Sequence, residues 1–233
     1  MKFNKDYIFE VENLIPKWMQ EDWDETILNC QNWKYGLKGA ANDIEKFFAI
    51  WISRPGERPF INDISNIGKT FNRMWTEVGL NSIIPDASVE QIHRVHINGT
   101  IPSYSVLSVH QDWTPPNFWT MLYYIGGYDG DTVFYDELDI NNGETEFVEK
   151  YRLPFKQGRV VFFPSCIWHR SELPSTGLRT TLAINYILND CDINLKIQKE
   201  RGITRNDASL NIPEELRKFE NITFGFGSAL NPS

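Results

Sequence analysis

The sequence predicts a mainly β protein, a jelly-roll double sheet with helices packed on one of its sheets. Three observations carry this. Between Val89 and Ile187 the chain breaks into short runs of β-branched and aromatic residues, separated by clusters of Gly, Pro, Asn and Asp. No helical periodicity interrupts these runs, so the helical crossovers of a parallel sheet are absent and an antiparallel sandwich or barrel is expected. The residues before them place large apolar side chains at helical spacing.

Residues 1–85 form the helical N-terminal part. Tyr7-Ile8-Phe9 reads as a short strand. Pro16 suits the first position of a helix whose apolar stripe is Trp18, Met19, Trp23 and Ile27. A second helix is expected over 40–53, with Ile44, Phe47, Phe48 and Trp51 on one side, broken by Arg54-Pro55-Gly56-Glu57-Arg58-Pro59. A third is expected over Ile64–Val78, with Ile67, Phe71, Met74 and Trp75 inward and Gly79 just past its end.

Residues 86–189 form the jelly-roll core. Its candidate strands are Val89–Ile97, Tyr104–Gln111, Trp119–Ile125, Thr132–Tyr135, Glu146–Glu149, Gly158–Phe163 and Thr180–Ile187. Turns are expected at Asn98-Gly99, Gly126-Gly127, Asp129-Gly130, Asn141-Asn142-Gly143 and Gln157-Gly158. Residues 190–233 are a polar C-terminal extension with one expected helix, Pro213–Phe219. At 233 residues without an internal repeat, the three parts read as one enlarged domain.

Composition narrows the partners. A net charge of −8 repels phosphate backbones and disfavours nucleic acid. The three cysteines, Cys30, Cys166 and Cys191, have no metal-site spacing and read as reduced thiols of a cytoplasmic protein. The N-terminus has no apolar signal region, and no apolar run approaches the ~20 residues of a membrane span. The sequons at Asn98 and Asn221 are therefore read as chance.

Chemistry concentrates between His110 and Arg179. His110 and Asp112 stand two apart on an expected strand, so both side chains share one face and suit Fe(II), Zn(II) or Mn(II). The spacing alone is common, and a lone His-x-Asp is more often chance than a metal site. His169 follows the apolar run Val160-Val161-Phe162-Phe163 and, taken alone, fits a hydrogen-bonded structural residue as well as a ligand. Arg179 and Thr181 share a strand face that can hold a carboxylate, although a surface ion pair is the plainer reading of the arginine.

The order His-x-Asp, distant His, then Arg ten residues on resembles the Fe(II)/2-oxoglutarate-dependent dioxygenases, in particular the prolyl-4-hydroxylase-like branch of phages and bacteria. The likeness covers about His93–Tyr186. Met121-Leu122-Tyr123-Tyr124-Ile125 resembles that branch's LYYL strand, and Gly130-Asp131-Thr132-Val133-Phe134-Tyr135-Asp136 resembles its GGETVFYD stretch. Lys156-Gln157-Gly158-Arg159-Val160-Val161-Phe162-Phe163 resembles the strand before its distal histidine, and His169-Arg170 matches its HR.

The resemblance implies a double-stranded β-helix, the cupin-like form of the jelly roll. It implies His110, Asp112 and His169 as Fe(II) ligands, with Arg179 and Tyr124 binding the distal carboxylate of 2-oxoglutarate and Thr181 assisting. The implied reaction couples oxidative decarboxylation of 2-oxoglutarate, to succinate and CO2, with O2-dependent hydroxylation of an unactivated C–H bond. Two features depart from the pattern. His96 stands where relatives often carry a tyrosine, and Asp131 replaces glutamate in the GGETVFYD stretch. His96, Arg94 and Trp113 are candidate lining residues, with the stiff aromatic loop Trp113-Thr114-Pro115-Pro116-Asn117-Phe118-Trp119 at the substrate entrance and Trp113 nearest the metal.

Two other classes compete: a cupin-type metal-dependent isomerase or hydrolase, which usually has a fourth ligand, and a non-catalytic metal-binding barrel. Within the dioxygenase reading the substrate is a prolyl or other peptidyl residue, an amino acid or a small molecule.

Overall fold

The computed structural model describes residues 3–37, 47–53, 63–104, 106–137 and 146–203. Among these residues ten strands make two antiparallel sheets. They are β1 (Phe9–Val11), β2 (Lys34–Leu37), β3 (Phe47–Ser53), β4 (Val89–Thr100), β5 (Phe118–Gly126), β6 (Thr132–Tyr135), β7 (Glu149–Leu153), β8 (Val160–Pro164), β9 (Trp168–Ser171) and β10 (Arg179–Leu188). The large sheet has the order β1-β8-β5-β10-β4-β3-β2, and the small one β7-β6-β9.

The sequence pattern explains which strands lie at the centre. Every residue of β5 is buried, as is nearly all of β10, because both faces of these strands are covered. On the outer face pack α1 (Lys17–Leu28) and α2 (Asp63–Met74). Trp23 of α1 meets Tyr123 of β5 edge-on at 5.9 Å, and Phe71 of α2 sits 4.9 Å from the same ring. Gly68 lets α2 approach β3 and β4: a Cβ there would lie 3.0 Å from Ile52 Cδ1 and 3.4 Å from Val95 Cγ1. Two of the three expected N-terminal helices are thus present and pack on one sheet. No described helix is long and apolar enough to cross a membrane.

Several expectations need correction. Residues 47–53, placed in a helix by the spacing of Phe47, Phe48 and Trp51, form β3 instead. A continuous apolar run of six residues (47–52) fits a strand as well as a helix turn, and pairing with β4 decides it. Trp18 is 66% exposed: it lies five residues before Trp23, about 140° away around the helix. Gly79 does not end a helix. Its φ is −64°, inside a π-helical stretch (Trp75–Gly79) that runs on into α3 (Leu80–Ile83), and the Trp75 ring lies where its Cβ would be. Asn98-Gly99 is not a turn but part of β4. The expected strand Tyr104–Gln111 reduces to one bridge at His110, and the strand expected over Glu146–Glu149 falls at Glu149–Leu153.

The C-terminal extension contributes α4 (Asp192–Arg201), which the sequence reading missed. Its Asn194 accepts a hydrogen bond from the buried Trp119 Nε1 at 2.8 Å, and Arg201 donates to the Thr114 carbonyl of the loop after Asp112. The expected helix Pro213–Phe219, the turn at 141–143 and the segments 38–46 and 54–62 lie outside the described residues.

Candidate functional site

The inner face of the large sheet is a polar patch inside an otherwise apolar protein. Cross-strand registers set Arg94, Asn185 and Thr120 in one row, His96, Ala183 and Leu122 in a second, and Asn98, Thr181 and Tyr124 in a third. Arg179 faces Thr100. The patch has one end whose residues could hold a metal ion, the metal-ligand end below, and an arginine end.

At the first end, the segment around His110 is laced to the turn before β9. His110 and His169 exchange both backbone hydrogen bonds at 2.9 Å, so they face each other as a cross-strand pair. The backbone N–H groups of Asp112 and Trp113 donate to the Ser165 carbonyl, and the Gln111 side chain donates to the Cys166 carbonyl. The result brings one donor atom each from His110, Asp112 and His169 within 4.8 Å of one another. Among the described residues this cluster has three members and no fourth.

The imidazoles are oriented as ligands. His110 Nδ1 lies 3.0 Å from the Ser108 carbonyl oxygen, and His169 Nδ1 lies 2.9 Å from that of Ile167. A carbonyl only accepts, so each Nδ1 carries its proton and each Nε2 keeps its lone pair for a metal. Burial, reinforced by His110, pushes the pKa of His169 down to about 4, so the ring is neutral near pH 7. The Phe163 ring meets it edge-on at 4.9 Å and fixes its plane.

Asp112 is held ionised. Burial opposes this, but Arg94, the two histidines and the Thr120 hydroxyl together keep its carboxyl well below the usual range. Its two oxygens are treated differently. Oδ2 accepts from Thr120 Oγ1 at 2.7 Å and from Asn185 Nδ2 at 3.2 Å. Oδ1 faces His110 Nε2 at 3.9 Å and takes the longer 3.2 Å contact from Arg94 Nη2. With Oδ2 occupied, Oδ1 is the oxygen left for a metal.

Thr120, Asn185 and Ser165 form the support, and the sequence reading did not single them out. Thr120 and Asn185 are fully buried, and Thr120 Oγ1 also lies 2.8 Å from Ser165 Oγ. A signal existed: both interrupt strongly apolar strands, and a polar residue buried there needs partners.

At the other end, Arg179 is 2% exposed. Gly130 makes room for it: with φ +100°, this glycine passes where a Cβ would lie 2.5 Å from Arg179 Cδ. Arg179 Nε donates to the Gly130 carbonyl at 2.7 Å, and the guanidinium lies over the Tyr124 and Phe155 rings at 5.3 and 5.9 Å. Its Nη2 is buried with no hydrogen-bond partner. Burial pulls the arginine pKa down, against Tyr124 and Asp131, which support the charge. Tyr124 Oη is 2.6 Å from Thr132 Oγ1. Thr181 is buried beside Tyr124 in register, as its place on the strand implied.

The other expected lining residues divide. Arg94 reaches the metal-ligand end. His96 is buried on the inner face, stacked on Trp51 at 4.9 Å. Trp113 packs edge-on against His93 at 4.3 Å and beside Phe118 at 5.5 Å.

No protein-family model and no curated protein matches the sequence. Solved structures do match the fold. An oxidoreductase of the 2OG-Fe(II) oxygenase family from Burkholderia pseudomallei aligns over 78% of this chain and 85% of its own, with a TM-score of 0.58 and 16% identity. A prolyl hydroxylase from Trichoplax adhaerens, solved with a hypoxia inducible factor oxygen degradation domain peptide fragment, aligns over 84% and 88%, with a TM-score of 0.52 and 13% identity. The non-heme alpha ketoglutarate dependent epimerase SnoN from nogalamycin biosynthesis aligns over 78% and 79%, with a TM-score of 0.53 and 12% identity. The jelly roll of this chain is the fold of 2-oxoglutarate–Fe(II) oxygenases.

Proposed function

We propose that this chain is an Fe(II)- and 2-oxoglutarate-dependent dioxygenase that couples decarboxylation of 2-oxoglutarate, to succinate and CO2, with hydroxylation of a C–H bond in a second substrate. The single observation that carries this is the pairing of the two ends. A three-ligand cluster with oriented Nε2 atoms shares one sheet face with a buried arginine that has a spare donor. A buried cation lacking a full set of partners is costly, and a carboxylate ligand would remove that cost.

The residues present fit the group. His110, Asp112 and His169 are a two-histidine, one-carboxylate set of the kind that suits non-heme Fe(II) and keeps coordination positions open. When bound, iron and 2-oxoglutarate supply the O2-dependent oxidation. The chain's own part is to bind, orient and exclude water. Arg179 neutralises the distal carboxylate, and Tyr124, positioned by Thr132, donates to it. Thr181 completes that wall. Leu122 lines the same sheet face and helps keep water out. SnoN has been solved with Fe3+, alpha ketoglutarate and nogalamycin RO, which supports this ligand pair on this fold. The cupin reading loses its main support because no fourth ligand joins the cluster among the described residues.

The reaction is tested by incubating the protein with Fe(II) and 2-oxoglutarate in air and quantifying succinate. Slow succinate formation is expected even without a second substrate, and its loss in His169→Ala. No succinate from protein with both iron and 2-oxoglutarate bound would overturn the enzymatic reading.

A further inference from the structure

We infer that Arg94 is the recognition residue for the second substrate, and that this substrate carries a single negative charge, a carboxylate, next to the carbon that reacts. The inference rests on the cosubstrate reading above and narrows its substrate class.

The first support is a β-bulge. Asn185 of β10 pairs with Arg94, and Tyr186 pairs with Ile92, which leaves His93 unmatched. Such an extra residue bends the strand and re-aims its neighbours. Arg94 lands beside Asp112, and His93 packs against Trp113, the residue that follows Asp112. The sheet thus places an arginine against a metal ligand at a point where it departs from regular pairing.

The second support is how loosely that arginine is used. Arg94 Nε is firmly held by Asn185 Oδ1 at 2.7 Å. Nη2 makes the 3.2 Å contact with Asp112 Oδ1, the oxygen that would be left for the metal, and Nη1 makes no hydrogen bond among the described residues. The side chain is 24% exposed, unlike that of Arg179. A divalent ion at Oδ1 competes with Nη2 for the same lone pairs. The guanidinium then stays anchored through Nε and offers its outer edge to a neighbour. Arg presents two parallel N–H donors there, the geometry that matches a carboxylate.

The third support is charge. With Fe(II), Asp112, dianionic 2-oxoglutarate and Arg179 in place, the site is already neutral. Arg94 adds one positive charge, and among the described residues its only ion-pair partner is Asp112, which would also hold the metal. One monoanionic group balances it, whereas an uncharged interior peptide residue such as proline does not. Two buried polar atoms nearby, Trp113 Nε1 and His93 Nε2, also have no hydrogen-bond partner. The observations therefore favour a small organic monoacid over a residue within a peptide.

The test uses acetate as the carboxylate probe and acetamide as its neutral match. Protein loaded anaerobically with Fe(II) and 2-oxoglutarate is titrated with each at constant ionic strength, while its iron-centred visible and near-infrared spectra are recorded. Acetate is expected to shift the spectrum saturably and acetamide to leave it unchanged. Arg94→Gln should need at least about 10-fold more acetate, with the 2-oxoglutarate band still present at saturating iron. Arg94→Lys, which keeps the charge without the fork or the Nε anchor, should bind acetate more weakly than the parent. No response to acetate, equal responses to acetate and acetamide, or unaltered acetate affinity in either variant would overturn the inference. Failure of the cosubstrate reading shows separately, as a missing band before any probe is added.

Discussion

The two ends of the polar patch are built on opposite principles. At the metal-ligand end the charged group is a carboxylate, and the protein satisfies it: Asp112 takes hydrogen bonds from Thr120, Asn185 and Arg94. At the other end the charged group is a guanidinium more deeply buried than Asp112, and the protein leaves it incomplete, with one carbonyl contact and an unpartnered Nη2. The first end is preorganised by its own neighbours. The second, on the function proposed above, would be completed by a ligand. Substitutions should therefore act through metal affinity and fold stability at one end, and through ligand affinity at the other.

The largest effect is expected at the satisfied end. Asp112→Ala removes a ligand and leaves Arg94 without its acid, so metal affinity measured by calorimetry should fall by more than about 100-fold, beyond the range of losses seen for outer-shell changes. Arg179→Met comes next and separates the two ends. It should weaken 2-oxoglutarate binding by about 30-fold or more, yet leave metal affinity within about 2-fold. Replacing a buried, poorly paired charge by an apolar side chain should also leave the melting temperature of the ligand-free protein unchanged or raised. A clear drop in that temperature would show that Arg179 is structurally satisfied, and the contrast between the ends would collapse.

Smaller effects sharpen the picture. Thr120→Val keeps the shape but leaves Asp112 Oδ2 with one donor, and should cost about 10-fold in metal affinity with little change in 2-oxoglutarate affinity. Tyr124→Phe should do the reverse, weakening 2-oxoglutarate by about 5-fold, the worth of one hydrogen bond. The smallest effect is on acid stability. His93 and His169 are both pushed down to about 4, mainly by burial, from 6.5 in the unfolded chain. Between those values the unfolded chain binds more protons. Stability should therefore be fully present above pH 6.5 and fall as pH drops toward 4, with a slope approaching about 1.4 kcal/mol per pH unit per histidine. In urea titrations, His93→Phe should flatten this slope by about half.

How much was legible in the sequence follows the range of the interactions involved. The strands β5, β6, β8 and β10 announce themselves by local composition, and His110, Asp112, His169 and Arg179 by residue type and order. The helix expected over 40–53 failed because Phe47, Phe48 and Trp51 satisfy two periodicities at once, and only pairing with β4 separates them. The strand expected at Tyr104–Gln111 failed for the same reason: the alternation is local, but only His110 finds a partner across the sheets. The bulge at His93 leaves no mark in composition, because register is a property of two strands. Thr120 and Asn185 stood in view as polar interruptions of apolar strands. They carried no motif, and their purpose appears only when Asp112 is brought beside them from another segment.

The most direct test of the central claim, that the two ends form one site for Fe(II) and 2-oxoglutarate, is an anaerobic visible spectrum. Metal-free parent, Asp112→Ala and Arg179→Met are each given Fe(II) and then 2-oxoglutarate. The account predicts a weak iron-to-keto charge-transfer band in the parent and none in Asp112→Ala. In Arg179→Met the band should appear only at much higher 2-oxoglutarate. Iron bound by the parent with no band at saturating 2-oxoglutarate would contradict it.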